Sequence, residues 1–362
     1  MRFKHHQHKL LRLQTSQNRD LEKGIILDRN ERADAFSDLD FKKALNSFSI
    51  NSFNATPDIS LLYKKIAKLH KVKTNNIYIT QGITECMSHI IFSTLTKNDE
   101  AIIMHPSYPM YSVLLKLHNI NYRLWKFSNK FELEISDLKK LINKRTKVLF
   151  LVNPNMPIEY EFNKKFKNEI YKICKKHNIL LVFDEAYHHF GSVSEVSKIK
   201  KYKNLIIMRT FSKAWGLSGI RLGYMAANKK LSEYISKCRS LVETNSMTYQ
   251  VALWALKNKI YKDHVRLVKQ GSKYIRNKFS SNGDNFYGGK KTNFILLKLS
   301  NQKLTQHLVA WLVKRKIYIR ANFPKPLENY VRVSLGSSKK LAIFFNEYKK
   351  WKQKYIKHKS PH

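Results

Sequence analysis

The chain has 362 residues, 43% of them hydrophobic and 12% aromatic, enough apolar material for one large domain with a smaller companion and too much for a disordered chain. Lys and Arg number 68 against 26 Asp and Glu, a formal charge of +42. The basic residues are nevertheless dispersed, without a long block and without a zinc-finger, homeodomain or RNA-recognition signature, so no specific nucleic-acid partner is expected. The excess reads as a general lysine bias that also favours anionic small molecules.

Three cysteines, Cys86, Cys174 and Cys238, share no metal-ligand spacing, and their odd number points to a reducing compartment. No stretch reaches the ~18 apolar residues of a membrane helix. A cytoplasmic protein without membrane contact is expected. His5, His6 and His8 lie in a basic N-terminal stretch that reads as a mobile arm rather than a metal site, and no metal is expected.

Residues 1–40 read as an arm that joins a small domain, with Ile25-Ile26-Leu27 running into the polar turn Asp28-Arg29-Asn30-Glu31. Residues 41–245 read as the large domain and 246–362 as a small α+β domain. Residues 60–71 carry apolar side chains at 61, 62, 66 and 69, a helical spacing. Ile77–Thr80 is a short strand that runs into Gly82-Ile83-Thr84, the opening of an apolar helix. Strands at 101–104, 122–125, 148–152 and 179–183 follow, separated by helices at 111–117, 136–143 (with Ser136 as its cap) and 165–177. A strand at 205–208 leads into Thr210-Phe211-Ser212-Lys213, then Gly216, Gly219, Arg221 and Gly223. Beyond 230, a helix is expected over 231–256, strands at 294–299, 317–320 and 330–334, and helices at 304–315 and 342–357.

Strands that are apolar on both faces and alternate with helices specify an α/β fold with a buried, mostly parallel sheet. Polar residues at the carboxyl ends of such strands form the ligand site. Four strands here end in Gly82-Ile83-Thr84, Asn153-Pro154-Asn155, Asp184 and Ser212-Lys213, and those ends are predicted to converge. Lys213, at a strand end between hydroxyls and an arginine eight residues on, suits an amine that forms a Schiff base beside a bound phosphate.

That stretch resembles the lysine motif of the fold-type I, class I/II aminotransferases, close to the histidinol-phosphate aminotransferases, and the resemblance runs through roughly residues 25–350. It implies a large domain with a mostly parallel sheet flanked by helices, a smaller α+β domain, a homodimer, and pyridoxal 5'-phosphate as cofactor. Asp184 in VFDEAY would hold the protonated ring nitrogen, and Tyr187 would donate to the phenolic oxygen. Lys213 would bind the aldehyde. Gly82, Ile83, Thr84, Thr210, Ser212 and Arg221 would cup the phosphate, and Tyr108 would stack on the ring. Arg332 would grip the substrate carboxylate, Arg320 a substrate phosphate, and Asn30, in the N-terminal active-site segment, would also contact the substrate.

Two departures from the family pattern stand out. The stretch N-P-x-N-P-T-G reads NPNMPIE at 153–159, so Met156 replaces an asparagine that bonds the phenolic oxygen. Either Asn155 takes over that role or Tyr187 acts alone. Thr56 stands before Pro57-Asp58, where related enzymes often carry a tyrosine that reaches the partner subunit. The activity implied is transfer of an amino group, with glutamate as donor, to a small, phosphorylated keto acceptor. A decarboxylase of threonine phosphate or serine phosphate, and a non-enzymatic polyanion binder, are the alternatives.

Overall fold

The computed structural model describes residues 19–46, 48 and 50–356. Among these, twelve strands form in chain order: β1 (Ile25–Ile26), β2 (Ile77–Thr80), β3 (Glu100–His105), β4 (Asn121–Lys126), β5 (Thr146–Val152), β6 (Leu180–Asp184), β7 (Leu205–Thr210), β8 (Gly223–Ala227), β9 (Phe286–Gly288), β10 (Phe294–Lys298), β11 (Ile317–Tyr318) and β12 (Tyr330–Ser334). The N-terminal histidines His5, His6 and His8 lie outside the described residues.

Seven strands make one sheet in the order β2-β8-β7-β6-β5-β3-β4. All run the same way except β8, which pairs antiparallel with both β2 and β7. The period-2 alternation of a strand sends successive side chains to opposite faces. In β7, Leu205 and Ile207 enter one apolar core while Ile206 and Met208 enter the core on the other face. Both faces are therefore covered, which is why these strands read as unbroken apolar runs.

A second, antiparallel sheet has the order β12-β10-β9. Helices Tyr261–Ser281 and Ser338–Tyr355 pack on it through Val268, Ile275, Phe279, Leu341, Phe344 and Trp351. The N-terminal segment is laid against this part of the chain: β1 pairs in parallel with β11, and the Ser334 N–H donates to the Leu27 carbonyl at 2.8 Å.

Several local expectations need correction. The helix expected over 231–256 is two, Lys229–Ile235 and Ser246–Asn258. The Asn245 side chain accepts from the Thr248 N–H and starts the second, a capping signal stronger than the apolar run that seemed to bridge it. Ser136 does not cap its helix, which spans Ile135–Leu141 from a Glu134 that makes no side-chain cap bond. The strand expected over 317–320 stops at Tyr318, leaving Arg320 in a lone bridge with Arg332. The 21-residue helix Tyr261–Ser281 was not foreseen; His264, Gly271 and Ser272 sit on its buried face and interrupt the apolar stripe.

Arg209 on β7 and Glu185 after β6 form an ion pair at 2.7 Å, with side chains only 3% and 1% exposed. Removing one partner of such a pair leaves the other charge without compensation. Arg209→Leu is expected to lower folding stability by about 3–5 kcal/mol in urea denaturation, and a loss below about 1 kcal/mol would show that Ser194 and the Glu195 N–H satisfy Glu185 unaided.

Candidate active site

The sheet order gathers the strand ends. The Asn153 N–H donates to the Asp184 carbonyl at 2.8 Å and the Glu185 N–H to the Met208 carbonyl at 2.9 Å, so the ends of β5, β6 and β7 lie side by side. Because β8 is reversed, its first residue, Gly223, faces Thr80 at the end of β2 and Thr210 at the end of β7. A Cβ on Gly223 would lie 2.7–2.9 Å from the backbone of Gly82 and Ile83. Only glycine permits that approach, and it brings the start of helix Ile83–Thr94 to the Ser212-Lys213 turn.

That helix start is built for an anion. Gly82 has a φ of +82°, no side chain caps the helix, and a Cβ on Gly82 would sit 2.9 Å from an Arg221 guanidinium nitrogen. Arg221 donates to the Ser218 carbonyl at 3.0 Å and reaches the Ser212 hydroxyl at 3.5 Å. Uncapped N–H groups at a helix N-terminus, a guanidinium and a hydroxyl make a phosphate cradle. Thr210 is not part of it: its hydroxyl accepts from the Ser212 N–H at 3.0 Å and donates to the Leu222 carbonyl, so it shapes the loop instead. Thr84 is half-buried in the first turn.

Lys213 projects from the same turn. Its Nζ donates to the Arg29 carbonyl at 2.9 Å and lies 6.0 Å from the centre of the Tyr187 ring. Burial pushes the Lys213 amine down to about 8, with Arg332 and Arg221 pushing the same way and Glu31 and Asp184 opposing them. Asp184, 3% exposed, is pushed up to about 6 by burial, while hydrogen bonds from the Ala186 N–H and the Tyr111 hydroxyl favour its ionised form. Tyr111 was missed in the sequence. It donates to Asp184 Oδ2 at 2.9 Å from helix Met110–Leu117, which joins β3 to β4. Its apolar spacing reads as core, and the one available signal was that a buried phenol needs a polar partner.

Tyr187 is 3% exposed and its hydroxyl is pushed up to about 12, by burial first. Tyr108 is half-buried, meets Tyr111 edge to face at 6.4 Å, and lies close enough to influence Tyr187. Arg332 on β12 donates to the Asp28 carbonyl at 2.8 Å and sits between Phe294 and Phe323, while its buried Nε has no partner. A buried, unpaired guanidinium N–H is an open position for a carboxylate. Arg320 pairs with Arg332 through the backbone but is exposed.

Two expected contacts are corrected. Asn155 is fully buried, and both hydrogens of its amide go to the Pro106 and Ile158 carbonyls while its Oδ1 accepts from Ser107. No donor is left for a bound ring, so it does not replace the asparagine lost at Met156. Asn30 is likewise fully buried; its Nδ2 donates to the Tyr187 hydroxyl at 2.9 Å and its Oδ1 faces Ser334, not open space. Glu159, where the family pattern has glycine, accepts from the N–H groups of Lys290 and Lys291 at 3.0 and 2.9 Å and from the Thr292 hydroxyl at 2.6 Å. Thr56 is exposed, in an open cleft with Asn54, Gln81, Val242 and Asn245, beside the phosphate cradle.

The donor set fits pyridoxal phosphate: an anion cradle that a Cβ at Gly82 would crowd, a carboxylate, a phenol and an amine of depressed basicity. Residues 11–346 match the family described as aminotransferase class I and II. The histidinol-phosphate aminotransferase of Thermoanaerobacter pseudethanolicus is 31% identical over 285 residues, covering 78% of this chain and 79% of that one. Among solved structures, the fold is similar to a histidinol-phosphate aminotransferase from Sinorhizobium meliloti in complex with pyridoxal-5'-phosphate (TM-score 0.79, 18% identical, 88% of each chain). It is also similar to an L-threonine-O-3-phosphate decarboxylase from Porphyromonas gingivalis (TM-score 0.75, 20% identical, 90% of this chain and 99% of that one). At those identities the structural likeness shows the fold alone.

The Tyr111 bond favours the Asp184 anion, so Tyr111→Phe is expected to raise the Asp184 midpoint further, by about half a unit to one unit. Carboxyl NMR of the isotope-labelled apo chain reads this directly. Folded Asp184 already holds its proton more tightly than an unfolded aspartate, so its contribution to apo stability falls as pH rises from about 4 to about 6.

Proposed function

Because the chain belongs to the class I and II aminotransferases, matched over residues 11–346, we propose that it moves an amino group between glutamate and a phosphorylated amine–ketone pair of the histidinol-phosphate type. The observation that carries this reading is Lys213, just past the end of β7 and over the Tyr187 ring, an amine whose basicity burial, Arg332 and Arg221 lower to about 8.

Pyridoxal 5'-phosphate, when bound, supplies an aldehyde that captures amines and a protonated ring that takes up the electron pair released at the substrate carbon. Gly82, Ile83, Thr84, Ser212 and Arg221 would hold its phosphate. The Asp184 carboxylate keeps a proton on the ring nitrogen. Tyr187 would donate to the phenolic oxygen, and Tyr108 would stack on the ring. Lys213 Nζ would hold the cofactor aldehyde at rest and, once released, would serve as the base that moves the proton at the substrate carbon. A depressed amine is suited to both tasks, since a useful fraction is unprotonated near pH 8. Arg332 Nε, buried and without a partner, binds a carboxylate such as that of glutamate. Arg320, exposed and bridged to Arg332, would take the phosphate of the other substrate.

The decarboxylase reading draws only on a fold-level likeness, and a polyanion binder leaves the cluster of Lys213, Asp184 and Tyr187 without a task. The cleft around Thr56 and Gln81, open beside the phosphate cradle, suits a second copy of the chain, so the working unit is a homodimer in this reading. Free Cys86, Cys174 and Cys238 fit a reducing compartment such as the cytoplasm.

Purified protein supplied with pyridoxal phosphate is expected to release 2-oxoglutarate when glutamate is added, with loss of the visible absorbance, and to use histidinol phosphate as amino donor in the reverse direction. Carbon dioxide released from threonine phosphate, without amino transfer, would overturn the transaminase reading. Lys213→Ala is expected to abolish turnover.

A pH test follows from the charges around Lys213. The rate of cofactor uptake by the apo chain is expected to rise with pH through about 8, where the amine loses its proton. Arg332→Gln removes a neighbouring cation, so stopped-flow absorbance should place that midpoint at higher pH.

A further inference from the structure

Tyr187 carries one hydroxyl, which can accept one hydrogen bond and donate another. Its oxygen accepts from Asn30 Nδ2 at 2.9 Å, and among the described residues its proton goes to no protein acceptor. The orientation of the Asn30 amide is set by chemistry. Ser334 Oγ accepts from the Asn30 backbone N–H at 2.8 Å, so the Ser334 proton is free to donate to Asn30 Oδ1, at 3.3 Å. That leaves the NH2 end facing Tyr187. Asn30 itself is immobilised: it is fully buried, its φ is +55°, and its carbonyl accepts from Asn293 Nδ2 at 2.9 Å.

We propose that Asn30 is a positioning residue: by donating to the Tyr187 oxygen it forces the Tyr187 proton to point away from the N-terminal segment and toward the ring oxygen of the bound cofactor. This goes with the loss at position 156. Met156 offers no donor there, and the Asn155 amide is fully engaged by the Pro106 and Ile158 carbonyls. Tyr187 is then the one hydroxyl directed at that oxygen, and its aim decides how much negative charge the oxygen holds. A donated hydrogen bond stabilises that charge and weakens the pull of the oxygen on the nearby Lys213 nitrogen proton. The groups bearing on Tyr187 besides Asn30 are Arg332, Asp184, Tyr108 and Lys213.

The inference rests on pyridoxal phosphate being the cofactor, and its test is spectroscopic. The visible absorbance of the lysine-bound cofactor is titrated with pH in the wild-type chain, Asn30→Gly and Asn30→Asp, each also in a Tyr187→Phe background. Asn30→Gly tolerates the positive φ and removes the donor without adding charge. Asn30→Asp keeps the shape but accepts the Tyr187 proton, drawing it away from the cofactor. The midpoint is expected to rise by about half a unit with Asn30→Gly and by about one unit with Asn30→Asp, the size of one hydrogen bond. In the Tyr187→Phe background Asn30→Gly should not move it, and Asn30→Asp should move it only by the smaller rise that its added charge causes. An unmoved midpoint in both variants, or an equal rise in the Tyr187→Phe background, would overturn the proposal while leaving the enzyme reading intact. A wild-type chain that takes up no pyridoxal phosphate would overturn both.

Discussion

A half-buried lysine amine whose charge is opposed by two guanidinium groups is held against like charge, and the arrangement of this molecule centres on that constraint. Arg332 and Arg221 both disfavour the charged form of Lys213. Arg332 is tethered to the Asp28 carbonyl and flanked by Phe294 and Phe323, so it cannot swing away. Glu31 and Asp184 supply only partial compensation. An anion at Arg221 and a carboxylate at Arg332 would relieve the repulsion from opposite sides. The two arginines therefore favour anions beside Lys213, one at each guanidinium.

Much of this was legible in the sequence because it depends on strand ends. A buried strand must stop where polar residues begin, so Gly82, Asp184 and Ser212-Lys213 announced themselves, and a parallel sheet aligns such ends along one edge. The reversed β8 was harder to read. Nothing in GYMAA distinguishes an antiparallel strand from a parallel one, yet the reversal is what sets Gly223 against Gly82. Roles that depend on which way an amide faces were not legible either. Asn155 and Asn30 stand at suggestive positions, but only the surrounding carbonyls and hydroxyls decide whether their donors are free. Tyr111 and the Arg209–Glu185 pair were hidden by their apolar surroundings. The helix over 261–281 was missed because His264, Gly271 and Ser272 are buried on its inner face, where a period-based reading expects hydrocarbon.

The charge surplus bears differently on surface and interior. The described acidic residues are heavily engaged: Glu100 meets Arg123 and Arg145, Glu195 meets Lys167 and Lys198, and Glu185 meets Arg209. With few carboxylates left to oppose them, the surface lysines set a long-range positive field. Such a field attracts anionic small molecules, and salt screens it beyond about 10 Å.

Glu159 has a mechanical consequence. Its carboxylate is gripped by two main-chain N–H groups and a hydroxyl from residues 290–292, and its own carbonyl accepts from Tyr287 at 2.9 Å. The turn after β5 and the loop before β10 are thereby riveted into one body. Because Asn153 is itself bonded to the Asp184 carbonyl, this tie anchors the loop before β10 to the strand-end edge of the large sheet. Residues 153–159 and 287–292 therefore hold the two sheets in register next to the site.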